Sequence, residues 1–184
     1  MLKGALCNVR HITTVDLPTY IALQNELENR GEYFSQQFHS PEALRREFAA
    51  TGFVTDDREM MLVEDKTGAI VGSISHFKSR TPLAREIGYR LLAGSGGRGI
   101  MTEATRLMSD YLFRAYQYNR LELLMNPLNI ASERIAQKCG YTYEGTLRGM
   151  FFTDGQVRDA KMYSLLRSEW EQWRGSDVSR ERHL

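Results

Sequence analysis

Four glycines in six positions, Gly94, Gly96, Gly97 and Gly99, sit inside the stretch from Glu86 to Glu103. Glycine adopts backbone conformations closed to other residues, so such a loop turns tightly and can aim several N–H groups at one point. A helix beginning near Ile100 would add the positive end of its dipole there. That combination suits an anion, most of all a phosphate. The loop also spells G-x-G-x-x-G from Gly94 to Gly99, the dinucleotide fingerprint. The surroundings do not match. A dinucleotide fold alternates strands with helices and ends the next strand in an acidic residue, whereas here three strands precede the loop without a helix between them and Glu122 lies inside the following strand. No Gly-Lys-Ser/Thr follows the glycines, so the P-loop reading fails as well. Cys7 and Cys139 show no ligand-like spacing, and His11, His39, His76 and His183 form no cluster along the chain. Neither a disulfide scaffold nor a metal is expected.

The elements that must position this loop follow from pattern. Ala5 to Ile12 reads as a strand, and Thr13 or Thr14 caps a helix through Glu26, with Asp16 complementing its dipole. Glu28 to Ser40 has no clean period but carries Tyr33, Phe34 and Phe38. Those rings either fill the core between helices or wall a pocket for an acceptor substrate. Ser40-Pro41-Glu42 starts a helix to Ala50. Met60 to Glu64 and Ala69 to Phe77 form a hairpin across Asp65-Lys66-Thr67-Gly68, and Ala84 to Leu92 is a further strand. Apolar residues at three- and four-residue spacing predict a helix from Ile100 to Tyr116. Arg120 to Met125 is a strand, Ile130 to Lys138 a helix stopped at Cys139-Gly140, and Tyr141 to Phe152 with Val157 to Leu166 a hairpin turning at Asp154-Gly155.

Composition narrows the class. A chain of 184 residues, 42% apolar and 26% charged, can bury one core, and a formal charge of +1 with no long basic run excludes nucleic acid as the principal partner. No stretch approaches the ~20 apolar residues of a membrane span, and the first residues lack a signal-like segment, so a cytoplasmic location without membrane contact is expected. One domain over residues 1–174 and a polar tail over 175–184 are expected.

With the loop placed between a fourth strand and a long helix, the chain resembles the GNAT superfamily of acyl-CoA-dependent N-acyltransferases, and within it the subgroup of ribosomal-protein N-terminal (alanine/serine) acetyltransferases. Three pieces carry the likeness: Glu86-Ile87-Gly88-Tyr89; Gly97-Arg98-Gly99-Ile100-Met101-Thr102-Glu103-Ala104; and Asn129-Ile130-Ala131-Ser132 followed by Gln137-Lys138-Cys139-Gly140-Tyr141. Glu144-Gly145, Asp154-Gly155, Asp159 and Tyr163 to Leu166 match the subgroup's ending. Gly96 stands where the family's loop carries Gln or Arg, and Leu92-Ala93 replaces a histidine-proline pair.

The resemblance implies an α+β, three-layer fold: a mixed, mostly antiparallel sheet with splayed fourth and fifth strands and helices on both faces. It implies acetyl-CoA as cosubstrate and no metal, with pantetheine against Leu91, Leu92 and Ala93 and pyrophosphate on amides of Gly96, Gly97, Arg98, Gly99, Ile100, Met101 and Thr102. Arg98 would add a charge contact or remain a solvated arginine. Acetyl transfer to an amine needs a base, a polarised carbonyl and a proton for the thiolate. Glu86 is the candidate base, or else a salt-bridged strand residue; an N–H near Leu92 would polarise the carbonyl. The family's usual acid tyrosine is replaced by Ala136, which leaves Ser132 as donor to the thiolate and Asn129 ordering water or pantetheine; a helix cap is the other role open to Ser132. Cys139 is either a packed residue or a ping-pong nucleophile. The acceptor is a peptide N-terminus or a small amine, with antibiotic or nucleotide-like amine resistance as a rival, a non-catalytic acyl-CoA sensor as another class, and a homodimer as an option by analogy.

Overall fold

Along the strand Arg58–Asp65, Met61 and Val63 enter one core cluster while Met60 and Leu62 pack into another. Side chains of a strand alternate between faces, so this sheet is covered on both. The computed structural model describes residues 1–26, 33, 37–153 and 155–181. In chain order these form β1 (Leu2–Lys3), β2 (Cys7–His11), a 3-10 turn (Thr14–Asp16), α1 (Leu17–Asn25), α2 (Pro41–Thr51), β3 (Arg58–Asp65), β4 (Ile70–Lys78), β5 (Ala84–Leu91), α3 (Ile100–Ala115), β6 (Arg120–Met125), α4 (Ile130–Lys138), β7 (Thr142–Thr153), β8 (Gln156–Leu166) and α5 (Arg167–Glu181). The sheet order is β1-β2-β3-β4-β5-β6-β8-β7, and every pairing is antiparallel except β5 with β6. The α+β architecture is therefore as expected, with the splayed pair numbered β5 and β6.

One cluster, Ile12, Tyr20, Ile21, Leu44, Phe53 and Leu62, seats α1 and α2 on the first face. The larger one seats α3 on the second through Ala104, Met108 and Leu112, at four-residue spacing and fully buried. Each fully buried Met or Leu contributes about 1.5–3 kcal/mol. Glu103, in the first turn of α3, accepts the backbone N–H groups of Ala5 (2.8 Å), Leu6 (2.7 Å) and Cys7 (2.7 Å) and so clips the β1–β2 turn to that helix. Burial alone would raise its carboxyl; the three amide bonds bring it below its usual range.

Three details differ from the sequence expectation. The helix expected from Thr13 begins as a 3-10 turn, because the buried Asp16 takes Arg10 (2.6 and 2.8 Å) together with the N–H and hydroxyl of Thr13. Helix α5 is additional; Trp170 anchors it in the core and donates to Asp110, and its backbone stays helical to Glu181, through most of the expected tail. His11 and His76, far apart in sequence, meet on the buried Glu59 at 2.5 and 2.8 Å. Burial pushes that carboxyl up and the two imidazole bonds outweigh it, leaving it lowered. Among the described residues no group of three or more His, Cys, Asp or Glu could hold a metal ion, and no helix is long and apolar enough to cross a membrane.

Gly72 of β4 lies against β5 so closely that an added Cβ would stand 2.3 Å from the Arg90 carbonyl oxygen. Gly72→Ala is expected to lower unfolding free energy by about 1–3 kcal/mol in urea titrations, by forcing the two strands apart.

Candidate active site

Strands β5 and β6 pair only at Ala84↔Arg120, Arg85↔Leu121 and Glu86↔Glu122. Beyond Glu86 and Glu122 they separate, and a cavity of about 810 Å³ opens between them. Its walls come from both faces of the sheet. Met60, Ser75 and Gly88 stand in register on the α1–α2 side, which gives Glu86, Gly88 and Arg90 to that side, with Gln24, Ser73 and Phe77; Phe151 and Phe152, consecutive on β7, also line the cavity. Ile74 and Tyr89 stand in register on the α3 side, where Asn129, Ser132 and Ile135 complete the wall. Gly88 is closely covered, since a Cβ there would stand 3.1 Å from the Phe77 ring.

Glu86 is partly buried and, among the described residues, makes no ion pair or hydrogen bond. Burial is the main reason its carboxyl is pushed up to about 7; Arg80 opposes the shift and Glu122 adds to it. Its register partner Glu122 takes the available cations instead, with Arg120 at 2.8 Å, Arg80 at 3.4 Å and the Ser79 hydroxyl also donating. The salt-bridged alternative for Glu86 is thus removed.

The glycine loop presents a cradle. Gly94, Gly97 and Gly99 have φ of 78, 77 and 77°, the left-handed region, and Gly99 is the N-cap of α3. Among the described residues, the N–H groups from Gly96 through Arg98 to Thr102 donate to nothing within the chain. Free, convergent amides at a helix N-terminus fit a diphosphate. Arg98 is 54% exposed in its side chain and reaches Asp65 at 3.3 Å. Asp65, with Thr67 as the main cause, is held down to about 2.

The expectation for Leu92 is corrected. Its N–H donates to Val71 of β4 at 2.9 Å and cannot polarise a carbonyl in the gap. Leu91 and Ala93 line the cavity and Leu92 does not. Asn129 caps α4, accepting the Ser132 N–H at 3.0 Å, so Ser132 is not the cap; both residues line the cavity. Ile100 and Met101 are buried in the core, and Met101 also lines the cavity. Cys139 donates its thiol to the Thr102 carbonyl at 3.4 Å, and burial pushes it up to about 11, which suits packing rather than nucleophilic attack. Tyr33 lines the cavity; Phe38 is 70% exposed and does not; Phe34 lies outside the described residues. Sequence reading missed Phe77, Arg90, Phe151, Phe152 and the side of Tyr89, although strand alternation counted from Glu86 would have found Arg90 and Tyr89.

A sequence profile of the family described as the acetyltransferase (GNAT) domain matches residues 7–142. The chain belongs to the GNAT acetyltransferases. It is an acyltransferase that uses acetyl-CoA. Among GNAT relatives, a Bacillus subtilis protein named "Probable N-acetyltransferase" is 29% identical over 94% of this chain and 100% of its own length. A solved ribosomal L7/L12 alpha-N-protein acetyltransferase in complex with coenzyme A superposes with a TM-score of 0.77 at 20% identity, covering 89% of this chain and 95% of that one. Vibrio cholerae spermidine N-acetyltransferase in complex with CoA and spermine gives 0.79 at 19%, covering 91% and 99%. At those identities the superpositions establish the GNAT fold alone.

Two outcomes follow for this site. Gly97→Ala is expected to weaken CoA binding and stability, by about 1–2 kcal/mol in the left-handed region, while Gly96→Ala, open and not at positive φ, changes both little; calorimetry on the pair checks this. Glu86 is raised from 4.5 to about 7 in the fold, so the folded state favours its neutral form, and ionisation costs stability increasingly between those values and fully above them. Glu86→Gln is therefore expected to be more stable than the parent at pH 8.5 by on the order of 2 kcal/mol, with the gap closing towards pH 4.5.

Proposed function

We propose that this enzyme acetylates a primary amine by direct attack, with Glu86 taking the ammonium proton and Ser132 donating a hydrogen bond to the leaving sulfur. Acetyl-CoA supplies the acyl group as an activated thioester. The observation that carries the reading is an unpaired carboxylate, raised towards neutrality, at the point where β5 and β6 part. A base poised near working pH accepts a proton most effectively. Leu91 and Ala93 would orient pantetheine along the open edge of β5, and the amides of residues 96–102 would hold the pyrophosphate. Phe77, Phe151 and Phe152 would keep water from the reacting amine.

For the acceptor, the charge of the wall favours a single ammonium. Among the described lining residues only Glu86 and Arg90 are charged. A polyamine would bring several cations to one carboxylate and meet a guanidinium four residues along the same strand face, leaving charges desolvated without partners. A peptide N-terminus or a small monoamine with an apolar body meets no such conflict. Tyr33 and the apolar wall support that choice.

Free-thiol release is expected with N-terminal peptides and monoamines and to be weak with spermidine and spermine. A preference for the polyamines would overturn the acceptor reading, and acetyl-CoA binding with silence towards every amine would favour an acyl-CoA sensor. In the active panel kcat/KM is expected to rise with pH through about 7, as Glu86 loses its proton, and Glu86→Gln to lower turnover by about 10²-fold or more.

A further inference from the structure

Tyr89 follows Glu86 by three residues, an odd step along β5, and therefore points to the opposite face of the sheet, towards α3 and α4. Its hydroxyl lies 3.4 Å from the backbone oxygen of Ser132, in the first turn of α4, and both residues line the cavity. One turn further along α4, Ala136 is fully buried and brings no functional group. Among the described residues, Tyr89 and Ser132 bring hydroxyl-bearing side chains from β5 and α4 to the cavity.

The two hydroxyls differ in what they can give. A serine can lend a hydrogen bond to sulfur, but the alkoxide left by losing its proton is a far stronger base than a thiolate. In water a phenol ionises at about 10 and a thiol at about 8.5, which makes a phenol a far nearer match to a leaving thiol than an alcohol is. Burial pushes Tyr89 up to about 12, against the pull of its hydrogen bond with Ser132, so the proton stays on oxygen until a negative sulfur develops beside it.

We propose that Tyr89 is the proton donor to the leaving sulfur, with Ser132 holding that sulfur by a hydrogen bond, so that base and acid approach the thioester from opposite faces of one strand. The inference rests on the acetyl-transfer reading. The ammonium gives one proton to Glu86; its nitrogen then forms the C–N bond and releases a second proton to water. The C–S bond breaks with its electron pair going to sulfur, sulfur takes the Tyr89 proton, the phenolate regains a proton from water, and Glu86 returns its proton to water. The net release is one proton per acetyl group transferred.

Tyr89→Phe keeps the ring and removes only the oxygen. Its kcat is expected to fall about 10²-fold with KM for acetyl-CoA and the melting temperature nearly unchanged. A readout without turnover uses CoA itself: the phenol stabilises the bound thiolate, so at pH 9 the variant is expected to bind CoA about tenfold more weakly and acetyl-CoA equally well. Parent-like turnover together with parent-like CoA binding at pH 9 would overturn the assignment, and so would an equal loss of acetyl-CoA affinity, which marks a structural role. If the parent itself releases no thiol with any amine, the acetyl-transfer reading fails, while the CoA titration still reports whether Tyr89 contacts the sulfur.

Discussion

After Glu86 and Glu122 the inner edges of β5 and β6 lose each other as ladder partners, and backbone polar groups that a sheet would satisfy are left facing a gap. An open edge of this kind is usually a liability that proteins cover. Here the edge is rigid, because β5 is laddered to β4 along its whole length and β6 to β8 along its own. The gap can therefore neither close by collapse nor widen freely. It is a fixed slot whose unmet hydrogen bonds favour an extended, amide-bearing ligand such as a pantetheine arm.

The charges around the slot are arranged by the same strand register. Glu86 and Glu122 stand opposite each other, and the arginines are drawn to Glu122, which leaves Glu86 to feel burial and a neighbouring negative charge together. Glu103 presents the reverse solution. It sits beside the phosphate cradle, where a free negative charge would oppose an anion, but three amides of the β1–β2 turn absorb that charge. One carboxylate is kept reactive by isolation and another made harmless by saturation.

The parts of this site that depend on local chemistry were legible in the sequence. Glycines that need positive φ, the helix start at Ile100, the Asn129 cap and the run of strands all follow from nearest-neighbour rules, and the family resemblance rested on those positions. What could not be read depends on pairing partners far along the chain. The Leu92 N–H is spent because Val71 lies beside it. His11 and His76 meet because β2, β3 and β4 are adjacent. Helix α5 has a polar sequence with no clean period, and one tryptophan docked on α3 is enough to anchor it. The exposed Phe38 shows the opposite error, an aromatic residue that composition placed in a wall and the fold leaves outside it.

Gly88 and its neighbours make β5 a ruler. Because side chains change face at every residue, the separation of Glu86 from Tyr89 by an odd number of positions decides which reactant each one meets. A residue inserted in an exposed loop is commonly tolerated. The same insertion between Glu86 and Tyr89 would bring both side chains to one face without removing either, so four consecutive positions carry a constraint on length as strict as any on chemistry.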